Sequence, residues 1–362
     1  MNVRSPGVSE MAKKTSKRIL SAAMALSVAL VLGIGSLPAV GLQSRPAAAI
    51  TTVEVAGATR YETAIEASKL SYPSGTAHLV IASGEDWPDA VSASALAGRL
   101  QAPLLLTRLE QLPSTVADEV RRLGSVDAIV IGGETSVSEA VVAELRTLVS
   151  SGRVTRVSGA NRYETAYAVA LEVTRLAADS YDGRVFVATG LTFADALAVS
   201  PLASASGSPV FLASPNDSAG LVQEMFNRGA SEVVILGGTT SVSADVETRL
   251  VAALGNSGVT RIAGADRYET AAAIAQYGVS HDGLAWNGVG LATGTDFPDA
   301  LAGGTTLGSR RAVLLLTRTT SLSAPAAAAL SANSSAVNTI VFLGSESALS
   351  SATRIAAINA LR

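Results

Sequence analysis

The stretch AGATRYETA at residues 56–64 occurs three times in this chain with small changes. It returns as SGANRYETA at residues 158–166 and as AGADRYETA at residues 263–271. A second block follows each copy in the same order: ASGEDWPDA at 82–90, ATGLTFADA at 188–196 and ATGTDFPDA at 292–300. Nine-residue matches in a fixed order, returning about every hundred residues, indicate three tandem copies of one structural unit.

Each copy has the pattern of alternating strands and helices. In the first copy, short apolar runs at residues 78–82, 103–107 and 128–131 predict buried strands, and the stretches between them predict helices. This alternation is typical of βαβ units, in which helices cover both faces of a parallel sheet. We therefore predict an α/β fold made of three small, similar domains in series.

Residues 1–49 have the pattern of a secretory signal peptide. Basic residues precede an apolar run over residues 19–37, and Ala47-Ala48-Ala49 supplies small residues at the −3 and −1 positions. An uncleaved membrane anchor is the alternative, because the run is nearly long enough to span a bilayer. Its glycines and serines and the breaker Pro38 favour cleavage after Ala49 and export. The predicted units are a signal peptide at 1–49 and repeats at 50–153, 154–258 and 259–362.

The composition disfavours most catalytic chemistry. The 362 residues include no cysteine and two histidines, which excludes a disulfide framework, Cys-ligated zinc and a thiol nucleophile. His78 and His281 lie outside the repeated blocks, so we interpret them as solvent or loop residues. No phosphate-binding loop, nucleophile elbow or metalloprotease motif occurs. The sequence therefore predicts no catalytic residue, no metal site and no cofactor.

The charge balance limits the partners. The chain has a net charge of −3, and without residues 1–49, which hold six basic residues and one acid, it has a net charge of −8. A net-acidic chain with no basic block is a poor nucleic-acid binder, because neutralising phosphates requires a dense cationic face. An anionic partner would therefore have to be held by a few placed arginines.

The repeated acids have a structural interpretation. Thr59-x-x-Glu62 and its counterparts fit a capping box, in which two side chains satisfy free amides at a helix start. Asp86-x-x-Asp89 and its counterparts look like the same device. Helix capping is the commoner role for such acids, and direct contact with a ligand is the alternative.

The repeated arginines are not explained by capping, because no cap requires an arginine at the first helical position. Arg60, Asp89 and the Gly132-Gly133 turn all follow the carboxyl ends of predicted strands. We therefore expect them along one edge of the sheet, where open α/β sheets bind ligands. An Arg–Asp pair that ties two loops together is the structural alternative. The candidate ligand-binding residues are Arg60, Asp89, Arg162, Asp195, Arg267 and Asp299.

Aromatic residues accompany both blocks in every copy. In the second block they are Trp87, Phe193 and Phe297. Such rings can stack on sugars, but more often they pack a helix against its sheet. Both interpretations stay open at this point.

Together these blocks resemble the cell wall binding repeat 2 family. The resemblance rests on the Arg-Tyr-Glu-Thr-Ala block, the (Trp/Phe)-Pro-Asp-Ala block and the Gly-Gly turn, and it covers residues 51–362. It implies Rossmann-like modules that pack in threes as a pseudo-threefold intramolecular trimer. It also implies noncovalent attachment of a secreted protein to anionic secondary polymers of Gram-positive cell walls. The third copy departs from the pattern, with Leu343-Gly344 in place of Gly-Gly.

We therefore expect a secreted, non-catalytic, monomeric protein of the cell wall and cell surface. Its partner would be a teichoic-acid-like polymer or another secondary wall polysaccharide, with no nucleic acid and no membrane after signal cleavage. Three linked weak sites would gain strongly from effective concentration. Two alternatives remain, namely a cell-wall hydrolase of the amidase kind and an extracellular protein-binding scaffold.

Overall fold

The computed structural model describes residues 50–362, and the predicted signal peptide lies outside this range. The first copy contributes β1 (Thr51–Val55), α1 (Arg60–Ser71), β2 (His78–Ser83), α2 (Pro88–Leu100), β3 (Leu104–Thr107), α3 (Ser114–Leu123), β4 (Asp127–Ile131) and α4 (Glu139–Leu148). The second contributes β5 (Arg153–Val157), α5 (Arg162–Ala177), β6 (Arg184–Thr189), α6 (Ala194–Ala198), α7 (Ser200–Ser206), β7 (Val210–Ala213), α8 (Ser218–Asn227), β8 (Glu232–Leu236) and α9 (Ala244–Leu254). The third contributes β9 (Val259–Ile262), α10 (Arg267–His281), β10 (Ala285–Thr293), α11 (Pro298–Ser309), β11 (Ala312–Thr317), α12 (Ala324–Ala332), β12 (Thr339–Leu343) and α13 (Ser351–Asn359). The predicted α/β repeat fold is confirmed.

The strands form three parallel sheets of four strands each, and every sheet contains one strand from another copy. The strand orders are β3-β2-β4-β5, β7-β6-β8-β9 and β1-β12-β10-β11. Thus β5 extends the first sheet, β9 extends the second, and β1 pairs along β12 with Thr51 opposite Thr339. The first strand of the folded chain closes its last sheet.

This exchange corrects one expectation. The sequence predicted that Arg60 and Asp89 lie at the edge of one sheet, that of their own copy. Arg60 follows β1, which belongs to the third sheet, whereas Asp89 follows β2 in the first. The motif arginines therefore lie at the boundaries between sheets. The repeats look alike in sequence, so the order of elements alone could not distinguish pairing within a copy from pairing between copies.

Three central helices hold the copies together. α2, α7 and α11 each contact the other two, in agreement with the predicted pseudo-threefold packing. Gly98 in α2 allows the closest approach, because a Cβ atom there would lie 2.0 Å from the carbonyl oxygen of Ser204 in α7. A Cβ at Gly308 in α11 would lie 2.6 Å from the carbonyl oxygen of Pro201. Only glycine permits such contact between helix backbones.

Proline shapes the starts of these helices. Pro88 and Pro298 occupy the first turns of α2 and α11, where a missing amide costs nothing. In the second copy Pro201 lies further along the chain, and the corresponding helix is divided into α6 and α7. The central helices thus occupy equivalent positions in the three copies, but the helix is continuous in the first and third copies and divided in the second.

The turn after α2 offers a test of backbone strain. Gln101 ends α2 in the left-handed region with φ of +51°, and the corresponding residue after α7 is Gly207, with φ of +65°. A side chain in this region costs about 1 kcal/mol relative to glycine. We expect Gln101→Gly to raise the free energy of unfolding by about 0.5–1 kcal/mol in urea titrations.

The second copy supplies the control for this prediction. Gly207→Ala should lower the stability, because it introduces the strain and places a Cβ 2.2 Å from Nε of Arg99. A Gln101→Gly variant less stable than the wild type would contradict the assignment of strain to this turn.

Candidate functional site

The first repeated block forms a helix start in every copy. α1, α5 and α10 begin at Arg60, Arg162 and Arg267. In the first copy the Thr59 side chain accepts a hydrogen bond from the helix start, and the Glu62 carboxylate accepts the Thr59 amide at 3.0 Å, so the predicted capping box is confirmed. Capping fixes the arginine as the first residue of its helix.

The other two copies vary this cap. Asn161 and Asp266 each accept two backbone amides of the first turn. Their glutamates reach one residue further back than Glu62 does, to the amides of Ala160 and Ala265. All three arginines therefore start from the same backbone geometry.

Each motif arginine extends to the aromatic ring of another copy. The guanidinium carbon lies 5.5–5.7 Å from the ring centre in three pairs: Arg60 with Phe297, Arg162 with Trp87 and Arg267 with Phe193. These distances are typical of cation–π contacts. The arginines thus link copy one to copy three, copy two to copy one and copy three to copy two.

Each guanidinium is also held by its own copy. One Nη donates to the carbonyl oxygen of Gly84, Gly190 or Gly294, at 2.5–2.9 Å. Within residues 50–362 the Arg162 and Arg267 side chains make no other hydrogen bond. Since a guanidinium has five N–H donors, most remain available to a ligand.

The rings of the second block form a cluster between copies. The centres of Trp87 and Phe193 lie 6.4 Å apart, and those of Phe193 and Phe297 lie 6.2 Å apart. Sequence reasoning offered sugar stacking or packing of a helix on its own sheet. The structure adds a third role, packing between copies. No local signal reports this role, because the rings come from three distant segments.

The aspartates of the second block do not cap their helices. The N-caps of α2, α6 and α11 are the aromatic residues, which have helical backbone angles and make no side-chain cap. The predicted second capping box is therefore wrong. Asp89 instead accepts a hydrogen bond from the Ser136 hydroxyl at 2.8 Å, and the hydroxyls of Ser241 and Thr63 act to lower the pKa of Asp195 and of Asp299.

The pKa values of two of these aspartates depend on charges from another copy. Burial raises the pKa of Asp195, while the Ser241 hydroxyl and the positive charge of Arg267 act to lower it. Burial also raises the pKa of Asp299, against the effects of Thr63 and Arg60. Asp195 thus groups with Arg267 and Asp299 with Arg60, across copies. No Arg–Asp ion pair within 4.0 Å joins the motif arginines to Asp89, Asp195 or Asp299 in the described part of the chain.

The raised pKa of Asp195 makes stability depend on pH. The pKa of Asp195 in the folded state lies above the ordinary 3.8, so the folded protein binds this proton more tightly than the unfolded chain does. The protonated carboxyl therefore stabilises the fold at low pH, and this contribution is lost as the pH rises from 3.8 through the raised pKa. Asp195→Asn, which stays neutral, should therefore gain stability relative to the wild type between about pH 4 and pH 7 in urea unfolding.

Asp245→Asn is the contrasting variant. A hydrogen bond from Arg249 lowers the pKa of Asp245, so this carboxylate stabilises the fold at neutral pH and loses that effect as pH falls. Its replacement should lose stability relative to the wild type as pH rises. The same slope for both variants would contradict the role of burial at Asp195.

A cleft of about 230 Å³ opens between the third and first copies. Its charged lining consists of Arg60, Asp296 and Asp299, and seven of the other lining residues bear hydroxyl groups: Thr59, Thr63, Thr293, Thr295, Thr319, Ser345 and Ser347. A guanidinium among many hydroxyls suits a polyhydroxylated ligand that carries an anionic group. Across residues 50–362, no group of three His, Cys, Asp or Glu side chains could hold a metal ion.

The Gly-Gly turn of the third copy aligns one residue later than the sequence suggested. Gly132, Gly237 and Gly344 all have positive φ, at +108°, +94° and +98°. The third copy therefore keeps the first glycine, which needs this conformation, and replaces the second with Ser345. Ala348 takes the place of Ser136, which bonds Asp89 in the first copy.

The histidines do not lie in loops, so that part of the interpretation is wrong, although His281 is exposed to solvent as expected. His78 opens β2 and its Nδ1 lies 2.5 Å from Asp127, whose other oxygen pairs with Arg153. His281 ends α10 and stacks on Tyr277 at 4.1 Å. The sequence lacked a local signal for these partners, which lie on other strands or one helical turn away.

The comparison with known proteins identifies the class. Residues 54–142, 156–247 and 261–354 match the family described as Cell wall binding domain 2 (CWB2). The chain belongs to this family, and the resemblance read from its motifs is confirmed. Its three repeats are cell wall binding domains. In the described residues, no helix has the length and apolar character needed to cross a membrane.

Particular relatives extend this result. The chain is 31% identical to the N-acetylmuramoyl-L-alanine amidase LytC of Bacillus subtilis over 74% of its own length and 51% of the relative's. It is 32% identical to the amidase enhancer of the same organism, over 83% and 39%. Among solved structures, Cwp6 from Clostridium difficile matches with a TM-score of 0.74 and 28% identity over 85% of this chain and 48% of that one. Cwp8 from Clostridium difficile matches with a TM-score of 0.72 and 26% identity, over 86% and 51%. The chain therefore spans about half the length of these relatives, or less.

Proposed function

We propose that this protein is a secreted, non-catalytic wall anchor that attaches noncovalently to anionic secondary polymers of the cell wall. The observation that carries the proposal is the threefold arrangement of Arg60, Arg162 and Arg267. Each has a side chain fixed by a ring and a carbonyl from different segments, and each keeps most of its N–H donors available. A positioned guanidinium is well suited to phosphate and carboxylate groups.

The surrounding chemistry suits a polysaccharide. The cleft at Arg60 presents threonine and serine hydroxyls, which can donate to and accept from sugar hydroxyls. The chain without residues 1–49 is acidic overall, so attraction to an anionic polymer has to be concentrated at the arginines. Three such sites on one rigid body bind one long polymer, or several, far more firmly than a single site does.

The amidase named among the relatives raises a hydrolase as the second candidate. The match to it covers 51% of that protein. Within residues 50–362 the two histidines lie on Asp127 and Tyr277, and neither lines the Arg60 cleft. A peptidoglycan digestion assay with residues 50–362 separates the two functions, since an anchor releases no soluble fragments.

The decisive experiment is a pulldown of residues 50–362 on Gram-positive cell walls before and after acid extraction of the secondary polymers. We expect retention that disappears with those polymers. Retention that survives extraction would point to peptidoglycan as the ligand and overturn the polymer assignment. The absence of retention on walls of the native host would overturn the anchor and favour the protein-binding scaffold.

A further inference from the structure

The surroundings of the three motif arginines differ in charge at corresponding positions. We use the name cleft for the space at each arginine beside the ring that it contacts, and name each by its arginine; the Arg60 cleft is the one whose lining is described above. The two residues before that ring are Thr295-Asp296 in the Arg60 cleft, Glu85-Asp86 in the Arg162 cleft and Leu191-Thr192 in the Arg267 cleft. Only the Arg267 cleft lacks an acid at both positions.

One of these acids lies close enough to its arginine to compete with an anionic ligand. Oδ2 of Asp296 lies 3.9 Å from Nη2 of Arg60, and the Asp296 side chain is 59% exposed, so it competes directly with an anionic ligand. In the portion of the chain that the structure describes, no carboxylate lies within 4.0 Å of the Arg162 or Arg267 guanidinium. Arg267 is also exposed, whereas Arg60 and Arg162 are half-buried.

The acids that remain near Arg267 are already engaged. Asp266 caps α10 and accepts the amides of Tyr268 and Glu269, so its charge is offset by the helix start. Asp195 is buried, and the Ser241 hydroxyl acts to lower its pKa. Counterparts of Asp195 are present in the other two clefts, so it does not distinguish this one.

A second arginine adds to the positive charge beside Arg267. The guanidinium of Arg318 lies 5.1 Å from the ring centre of Tyr268, and Tyr268 packs with Arg267 against Gly294. Arg318 is exposed. The residue after Gly294 is Thr295, which carries no charge, and Asp296 follows it and lies 3.9 Å from Arg60.

The first copy has the same pair of arginines, with an acid close to it. Arg108 lies 5.5 Å from the ring of Tyr61. Burial raises the pKa of Tyr61, and the negative charge of nearby Glu85 raises it further. The second copy has Ser214 in place of the second arginine. Within the described residues, the pair formed by Arg267 and Arg318 therefore has no carboxylate within 4.0 Å of either guanidinium, whereas Arg60 of the first pair has Asp296.

We infer that the Arg267 cleft is the principal anion-binding subsite of the protein. Arg267 and Arg318 bind the phosphate or carboxylate group of the polymer. Thr192 permits this binding because it is uncharged, whereas the other two clefts have Asp86 or Asp296 at this position. The Arg60 and Arg162 clefts hold hydroxyl-rich parts of the ligand with less electrostatic attraction. This inference rests on the proposed function of the clefts and ranks them.

The first test uses a defined small anion. Protein labelled with ¹⁵N-arginine is titrated with glycerol 3-phosphate while the side-chain Nε signals are followed by NMR. We expect the Arg267 signal to saturate at the lowest concentration. Thr192→Asp, which introduces the acid of the other two clefts, should weaken binding at Arg267 about tenfold. Asp296→Thr is the reciprocal variant and should strengthen binding at Arg60. Equal affinity at the three arginines, or no effect of Thr192→Asp, would overturn the ranking.

The second test uses whole cell walls and separates the two proposals. Arg267→Gln should weaken retention about tenfold, and Arg60→Gln and Arg162→Gln should each weaken it clearly less. If the wild type binds walls and the three variants lose affinity equally, the ranking is overturned and the anchor stands. If the wild type does not bind walls, the anchor is overturned, and the NMR titration still decides whether Arg267 is the anion site.

Discussion

Replacing Arg60, Arg162 and Arg267 together with glutamine is expected to reduce retention on cell walls by about a hundredfold or more while the protein stays folded. Glutamine keeps much of the aliphatic stem that lies near the rings of Phe297, Trp87 and Phe193 and removes the charge. The loss should exceed that of any single variant, because each remaining weak site no longer benefits from its neighbours.

A matched triple variant controls for net charge. Arg121, Arg175 and Arg249 are exposed on α3, α5 and α9, where each pairs with a nearby acid of its own helix. Such surface pairs contribute little to stability. Their replacement with glutamine removes the same three charges and should leave wall retention unchanged. An equal loss in both triple variants would assign the attraction to overall charge and not to the clefts. Unfolding of the first variant alone would show that the motif arginines are structural.

The second large effect is expected in the centre of the molecule. Gly98→Ala should lower the free energy of unfolding by about 2 kcal/mol or more, because its Cβ would lie 2.0 Å from a backbone oxygen of Ser204. A backbone atom cannot rotate away as a side chain can, so α2 and α7 must separate. The measurement is urea unfolding, followed by wall retention of the variant at low temperature.

Gly133→Ala is the control for this substitution. It adds the same methyl group in a turn where no other atom lies within 4 Å of the new Cβ. Its stability should remain within about 0.5 kcal/mol of the wild type. If Gly98→Ala were equally neutral, the close packing of α2 on α7 would not be what holds the copies together.

Local features of the fold could be predicted from the sequence with little error. The strand predicted at residues 78–82 extends one residue further, to Ser83, and the stretch between the strands predicted at 103–107 and 128–131 contains a helix, α3, as expected. The capping box at Thr59 was predictable because its two hydrogen bonds join residues three positions apart. These features depend on residues that are close in the chain, and the pattern of apolar and polar residues along the sequence reflects such local contacts.

Contacts between copies could not be predicted in the same way. The six candidate residues were correctly placed beside strand ends, but the grouping of Arg60 with Phe297 and Asp299 depends on the closure of the last sheet by β1. Even within the first copy, the contact of Ser136 with Asp89 joins segments that follow two different strands, β4 and β2. Three similar repeats offer each arginine several equivalent partners, and the packing of α2, α7 and α11 selects among them.

The pairing of β1 with β12 has a consequence for how the molecule matures. A chain that emerges amino end first presents Thr51–Val55 before any partner for it exists, since Thr339–Leu343 follows near the carboxyl end. The third sheet can be completed only after the whole chain has emerged, and closing so long a loop is slow. Until then β1 has no strand partner, and an unpaired strand is a hazard for aggregation. A chain truncated before β12 would therefore lose more than one binding cleft. It would lose the pairing of β1 with β12, on which both the Arg60 cleft and the last sheet depend.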